Sequence, residues 1–137
     1  MSNIKLYTLL FFLGLGIQHS YAQKYRFKTS GVSVLEKKAN GKWGEWSDLD
    51  LVNILVSLDT DKNRIVVYSQ VVQLFEIIVY QQEEENDNDI VHSFTCKDNN
   101  GDDCTLSIIT RKKQGNRKQL YINYNNSRII VYNIFNV

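Results

Sequence analysis

Proline is absent from this 137-residue chain, cysteine occurs twice, and histidine occurs twice. With seven glycines, that composition excludes a collagen-like repeat and gives no sign of a disordered tail or a second domain. Long apolar runs are missing too. The longest, Leu6 to Ile17, falls short of the roughly 20 residues a membrane-spanning helix needs. Charge of one sign is also lacking, because 16 basic side chains stand against 15 acidic ones. A near-neutral chain lacks the basic surface that general nucleic-acid binders and anionic-membrane binders require.

The apolar run near the N-terminus follows a single lysine, Lys5, and precedes Ser20-Tyr21-Ala22. Small residues at 20 and 22 suit the positions a signal peptidase accepts, so cleavage is expected after Ala22. No cysteine follows to carry a lipid. The expected mature chain, 23–137, has 115 residues, 15 bases, 15 acids and one histidine, His92. Its length suits a single domain outside the cytoplasm, periplasmic or extracellular, with no stable insertion into the membrane.

Helical periodicity is almost missing from that domain. In its place stand short runs rich in Val, Ile, Tyr and Phe, broken by Asn, Asp and Gly. Strands are expected near 24–38, 47–58, 64–69, 71–80, 90–97, 103–111, 118–124 and 128–135, with 64–80 readable as one bent strand. The first run changes phase at Gly31, from Tyr25 and Phe27 to Val32 and Val34, which calls for a β-bulge or bend there. Short connections imply antiparallel neighbours, since parallel pairing needs long crossovers. The expected fold is all-β: a small antiparallel meander of seven to eight strands closing into a barrel, with a two-sheet sandwich as the alternative.

In such a meander alternate loops share an end. The acids Glu83, Glu84, Glu85, Asp87 and Asp89 should therefore neighbour the bases Arg111, Lys112, Lys113, Arg117 and Lys118. Two solvated tips and a bipolar patch for a partner protein both fit that placement.

The stretch "FTCKDNNGDDCTL" at 94–106 reads as a hairpin. A three-residue loop 99–101, with Gly101 left-handed, opposes Phe94 to Leu106, Cys96 to Cys104 and His92 to Ile108. A two-residue turn would mismatch apolar and polar faces, so the longer loop is expected. Directly opposed cysteines lie about 4.5–5.5 Å apart at Cα, which makes Cys96 and Cys104 a disulfide candidate against a pair of buried free thiols. Asp98, Asn100, Asp102 and Asp103 form a weak calcium candidate whose glycine falls at the wrong position for an EF-hand. Asp, Asn and Gly are equally what a tight turn requires.

Trp43 and Trp46, in "GKWGEWSDLD", are candidates for ligand contact or for folding over a barrel end as a plug. His92 should face inward beside Phe94, while Ser93 points away and cannot serve as its nucleophile partner. No histidine cluster or metal-ligand spacing appears, and no catalytic residue, cofactor or metal is assigned.

The signal-like start, "KWGEWS" at 42–47, "DKNRIVVYS" at 61–69, "FTCKDNNGDDC" at 94–104 and "LYINYNN" at 120–126 resemble a group of short exported proteins of Bacteroidetes with no assigned activity. The resemblance implies a compact antiparallel β-fold and residence outside the cytoplasm. Three functions are then open: a non-catalytic binding or interaction module, a lipocalin-like carrier of a small apolar ligand, or, with least behind it, a hydrolase. Interior volume separates the first two, because a ligand needs about 300 Å³ or more lined by apolar strand residues. Phe75, Phe94, Tyr132 and Phe135, all taken as inward, argue for a packed interior.

Overall fold

Nine strands account for most of residues 24–125 and 127–137, the part of the chain that the computed structural model describes. They are β1 (Lys24–Glu36), β2 (Leu55–Asp59), β3 (Arg64–Val67), β4 (Gln73–Tyr80), β5 (Glu84–Glu85), β6 (Asp89–Lys97), β7 (Asp103–Arg111), β8 (Arg117–Asn123) and β9 (Arg128–Asn136). A single 3-10 turn, Lys112–Gln114, interrupts them. The expected signal segment lies outside the described residues.

Apart from β4 and β5, each strand pairs antiparallel with the next, β9 returns to β1, and β4 pairs with β6, so eight strands close into a barrel. The two-residue β5 continues the line of β4 along β6. The bend expected in β1 is present: its register against β9 shifts between Thr29 and Gly31. That shift lets Phe27 and Val32 both reach the core although they are five positions apart.

Three expectations are corrected. Residues 64–80 are not one strand, because "YSQVV" turns the chain and β3 pairs back onto β4, Ile65 opposite Phe75. Of the strand expected at 47–58, 47–54 is irregular backbone that follows the outer half of β1 through isolated bonds, Ser47 N–H to Val34 O (2.8 Å) and Asp50 N–H to Val32 O (2.9 Å). Phe135 is 49% exposed and points outward, since the inward phase of β9 runs through Ile130, Tyr132 and Ile134.

Glycine at 31 lets that segment lie close against β1. A Cβ there would stand 2.8 Å from Leu49 Cδ1 and 3.3 Å from the Asp50 carbonyl oxygen. Thr29 next to it is buried, and its Oγ1 donates to Val52 O (2.6 Å) while accepting from Ile54 N–H (3.0 Å). Segment and strand are thereby fastened without an orphaned polar group.

The lower interior is solid. Val56, Ile65, Val67, Phe75, Cys96, Cys104, Leu106, Leu120 and Ile122 are each almost wholly shielded from solvent. Eight strands leave room for little more than such side chains. Replacing Gly31 with Val should push the 47–54 segment off β1 and cost about 1–3 kcal/mol, measurable by urea unfolding.

Candidate functional site

The inward phase of the strands changes character toward one end of the barrel. Below, it is all aliphatic and aromatic, but at the ends of β2, β4, β7 and β9 and the starts of β1, β6 and β8 it becomes mixed. Phe27, Leu58, Phe94 and Ile108 form an apolar floor, each only 6–7% exposed. Above them stand Tyr25, Tyr80, His92, Thr110, Lys118 and Asn136, and together these groups enclose an open cup of about 600 Å³. Two residues along a strand separate floor from rim, so the cup is shallow, about 7 Å deep.

Tyr80 forms one aromatic wall. It sits opposite Phe94 in register, meets that ring edge-on at 5.6 Å, and donates its hydroxyl to Asn63 Oδ1 (2.9 Å). Burial, helped by Cys96 and Asp59, pushes the Tyr80 pKa up, so the hydroxyl stays a donor. Lys118 reaches inward from β8 and donates from Nζ to Thr110 Oγ1 across the strand pair (3.0 Å). His92 occupies the inward position expected for it, yet at the mouth, half-exposed, with Nε2 3.2 Å from Glu83 Oε1. It is a rim residue rather than a core one. Ser93 points to the outer wall as expected and shares a hydrogen bond with Ser107 Oγ (2.8 Å).

The acidic and basic loops do share this end, and they spend their charge on each other. Arg111 pairs with Asp89 (3.1 Å), Lys112 pairs with Glu85 and also donates to Asn86 O, and Lys112 N–H donates to Asn88 O. Arg117 turns instead to Gln114 and Asn133. The contact is a clasp of two ion pairs between the tips at the barrel mouth.

Neither tryptophan plugs a barrel end, which corrects that expectation. Trp43 bridges to Lys37, whose ammonium lies 5.4 Å from its ring centre, and Trp46 leans on the outer wall, 48% exposed. Both belong to the loop that follows the outside of β1, so they cannot reach the lumen. Trp46 does border a shallow hollow of about 210 Å³ with Leu49, Tyr121 and Val131.

The 94–106 hairpin has the expected register throughout, with Gly101 left-handed at φ 79°. Its turn lies at the opposite end from the cup and acts as a lock. Asp98 Oδ1 accepts from Asn100 N–H and Asp102 N–H, and Oδ2 accepts from Tyr124 Oη (2.7 Å). Asn99 Oδ1 accepts from Leu74 N–H (2.7 Å), so one turn grips both β4 and the β8–β9 hairpin. Asp103 faces Lys97 at 2.8 Å. Of the residues offered as calcium ligands, Asp98 and Asp103 have their carboxylates engaged by the turn, Tyr124 and Lys97, and among the described residues no cluster of three acids, cysteines or histidines is placed to hold a metal.

Cys96 and Cys104 stand opposite each other, buried, as free thiols rather than the bridge considered above. The bond from Asp98 N–H to Asp102 O, two residues on, puts them in a hydrogen-bonded pair, the wider and less favourable setting for a cross-strand bridge. Burial pushes both thiols up to about 12, helped at Cys96 by Cys104 and at Cys104 by Asp98, Asp103 and Asp102. Such thiols are inert as nucleophiles.

Compared with protein-family models, curated proteins and solved structures, the chain matches none. The site therefore has to be judged on its own geometry.

Burial raises the Asp98 carboxyl, but the Tyr124 hydroxyl, the Asp102 and Asn100 N–H groups and Arg128 outweigh it and hold its pKa below the ordinary value. A depressed carboxyl stabilises above its unfolded pKa and loses that contribution as pH falls through the folded one. Asp98→Asn should therefore cost about 1 kcal/mol at pH 7, and the gap to wild type should close below about pH 4, measured by urea unfolding across pH.

Proposed function

We propose that the protein is an exported, non-catalytic binding module that carries a small apolar ligand in the cup at the barrel mouth. One observation carries this reading: an apolar floor under an open volume of about 600 Å³, set over an interior packed solid beneath it. A barrel serving only as a scaffold gains nothing by stopping its core one layer short. Binding sites of this kind have volumes of roughly 300–1,000 Å³, mostly apolar linings and a few placed polar groups. Four aromatic side chains, Tyr25, Phe27, Tyr80 and Phe94, favour a flat ring as the apolar body.

The non-catalytic reading is supported by how the polar groups near the cup are engaged among the described residues. His92 is held by Glu83, Ser93 lies on the other face, and Tyr80 keeps its proton. Export rests on residues 1–22, whose Lys5, apolar run and Ser20-Tyr21-Ala22 fit a cleaved leader, and on the likeness to exported proteins of Bacteroidetes. Intact mass of the protein recovered outside the cytoplasm should correspond to a chain beginning at Gln23. A full-length mass would defeat the leader.

Titration of 15N-labelled protein with 2-naphthylmethanol tests the cup. Shifts should concentrate at Phe27, Leu58, Phe94 and Ile108, and Ile108→Trp, which fills the floor, should weaken binding ~10-fold or more. Shifts confined to Trp46 and the outer wall, or none at all, would refute the reading.

A further inference from the structure

We infer that the ligand of this cup bears a single carboxylate, received by Lys118 on a compact aromatic body; the inference rests on the cup being a binding site. The argument starts from charge. Of the side chains on the inward phase at the cup, His92 and Lys118 are basic and none is acidic, while Lys24 and Arg26 border it from the outward phase of β1. Glu83, the acid that reaches the rim, is already engaged by His92. Asp59, buried behind Leu58 in sequence, gives its Oδ1 to the N–H groups of Asp61 and Lys62. In a chain of nearly balanced charge, a basin lined by one sign is a local arrangement rather than a reflection of composition.

Lys118 is the least exposed of these basic groups, part-buried where Lys24, Arg26 and His92 are exposed. It lies two residues above Leu120, which is fully buried, and opposite Thr110, which is itself buried. None of the ion pairs among the described residues includes it, and its ammonium donates to the neutral Thr110 hydroxyl. A half-buried ammonium that meets only a hydroxyl retains two N–H donors and its full charge. Desolvating it in that state is unfavourable, and a carboxylate arriving in the cup would relieve the cost.

The remaining geometry sets the ligand's size and head group. An aromatic ring resting on Phe27, Leu58, Phe94 and Ile108 and walled by Tyr25 and Tyr80 fills a depth of about 7 Å, which places its substituent at the level of Lys118, Thr110 and Asn136. There, one oxygen accepts from the ammonium. The Thr110 hydroxyl, having accepted from Lys118, has its own hydrogen left to donate to the second oxygen. The Asn136 amide lines the same side. One cation with neutral donors suits a monoanion, whereas a phosphate dianion calls for a guanidinium fork or a nest of main-chain N–H groups. A long acyl chain does not fit, because the packed core closes the barrel directly beneath the floor.

The test compares three probes by calorimetry: 2-naphthoate, the neutral 2-naphthylmethanol and 2-naphthyl phosphate. Wild type should bind 2-naphthoate ~10-fold more tightly than 2-naphthylmethanol, the scale of one charge-assisted hydrogen bond. Lys118→Met, which keeps the apolar stem, should erase that preference while changing 2-naphthylmethanol binding less than about twofold. Lys118→Arg should keep the preference, which guards against a folding defect in the Met variant. Equal affinities for the two probes in wild type, or a preference surviving in Lys118→Met, would overturn the head-group assignment and leave the cup standing. Tighter binding of the phosphate would overturn the monocarboxylate. Failure of all three to bind would overturn the cup and this inference with it.

Discussion

Everything in this molecule depends on the seam where β4 meets β6 and the sheet becomes a barrel. Without it β4 and β6 would each present an open edge, and the core residues of β3 and β7 would have no opposite wall. The seam is made with a slip: the register shifts between Ile77 and Val79, expelling Ile78 outward while Ile77 and Tyr80 both point in. It is then fastened from outside itself. Asn99, in the β6–β7 turn, bonds the main chain of β4 at Leu74 and Val72, and Asp98 in the same turn holds Tyr124 from β8–β9. A turn four residues around thus locks three hairpins at the base.

Closure also explains why there is a cup at all. The number of strands fixes the interior width, so side chains of the size of Phe75, Leu106 and Leu120 fill the lower half completely. At the other end no loop among the described residues folds over the lumen. The loops there are occupied elsewhere: the acidic tip and the basic tip pair with each other through Asp89 and Arg111, and Glu83 holds His92 at the rim. The loop bearing Trp43 and Trp46 starts from the opposite end of β1 and is held along its outer side by Thr29 and the main chain of Val32, Val34 and Glu36. An uncovered end over a packed base is a shallow basin, and its polarity follows from which residues end each strand.

Much of this was legible in the sequence and some was not, for identifiable reasons. The 94–106 hairpin was fully readable, because a one-residue slip would have set Phe94 and the cysteines against polar partners and only one register avoids that. The bulge at Gly31 was readable from the phase change alone. The break between the strands expected at 64–69 and 71–80 was readable only weakly, since "YSQVV" holds no glycine, proline or asparagine and its turn is stabilised by contacts with Leu55 and Asn99, distant in sequence. Segment 47–54 has strand-like composition but bonds β1 only intermittently, which composition does not encode. Phe135 and the tryptophans misled for one reason: large aromatic area is commonly buried, yet strand phase and loop origin decide which way it faces. The cup itself left a trace that sequence reading passed over. Lys118, Thr110 and His92 each lie in the inward phase of their strands, beyond Leu120, Ile108 and Phe94, and a polar residue ending an apolar phase marks a barrel mouth.

The sequence by itself determined the all-β class, the antiparallel order, the hairpin pairing and the phase of most strands, because those depend on local alternation, turn residues and short connections. Only the tertiary structure decided that the sheet closes through β4 and β6, that the tryptophan loop lies outside, that the charged loops neutralise each other, and that Lys118 overlooks an apolar floor. Those outcomes depend on which residues, far apart in the chain, meet when eight strands share one circumference, and no window of sequence contains that distance.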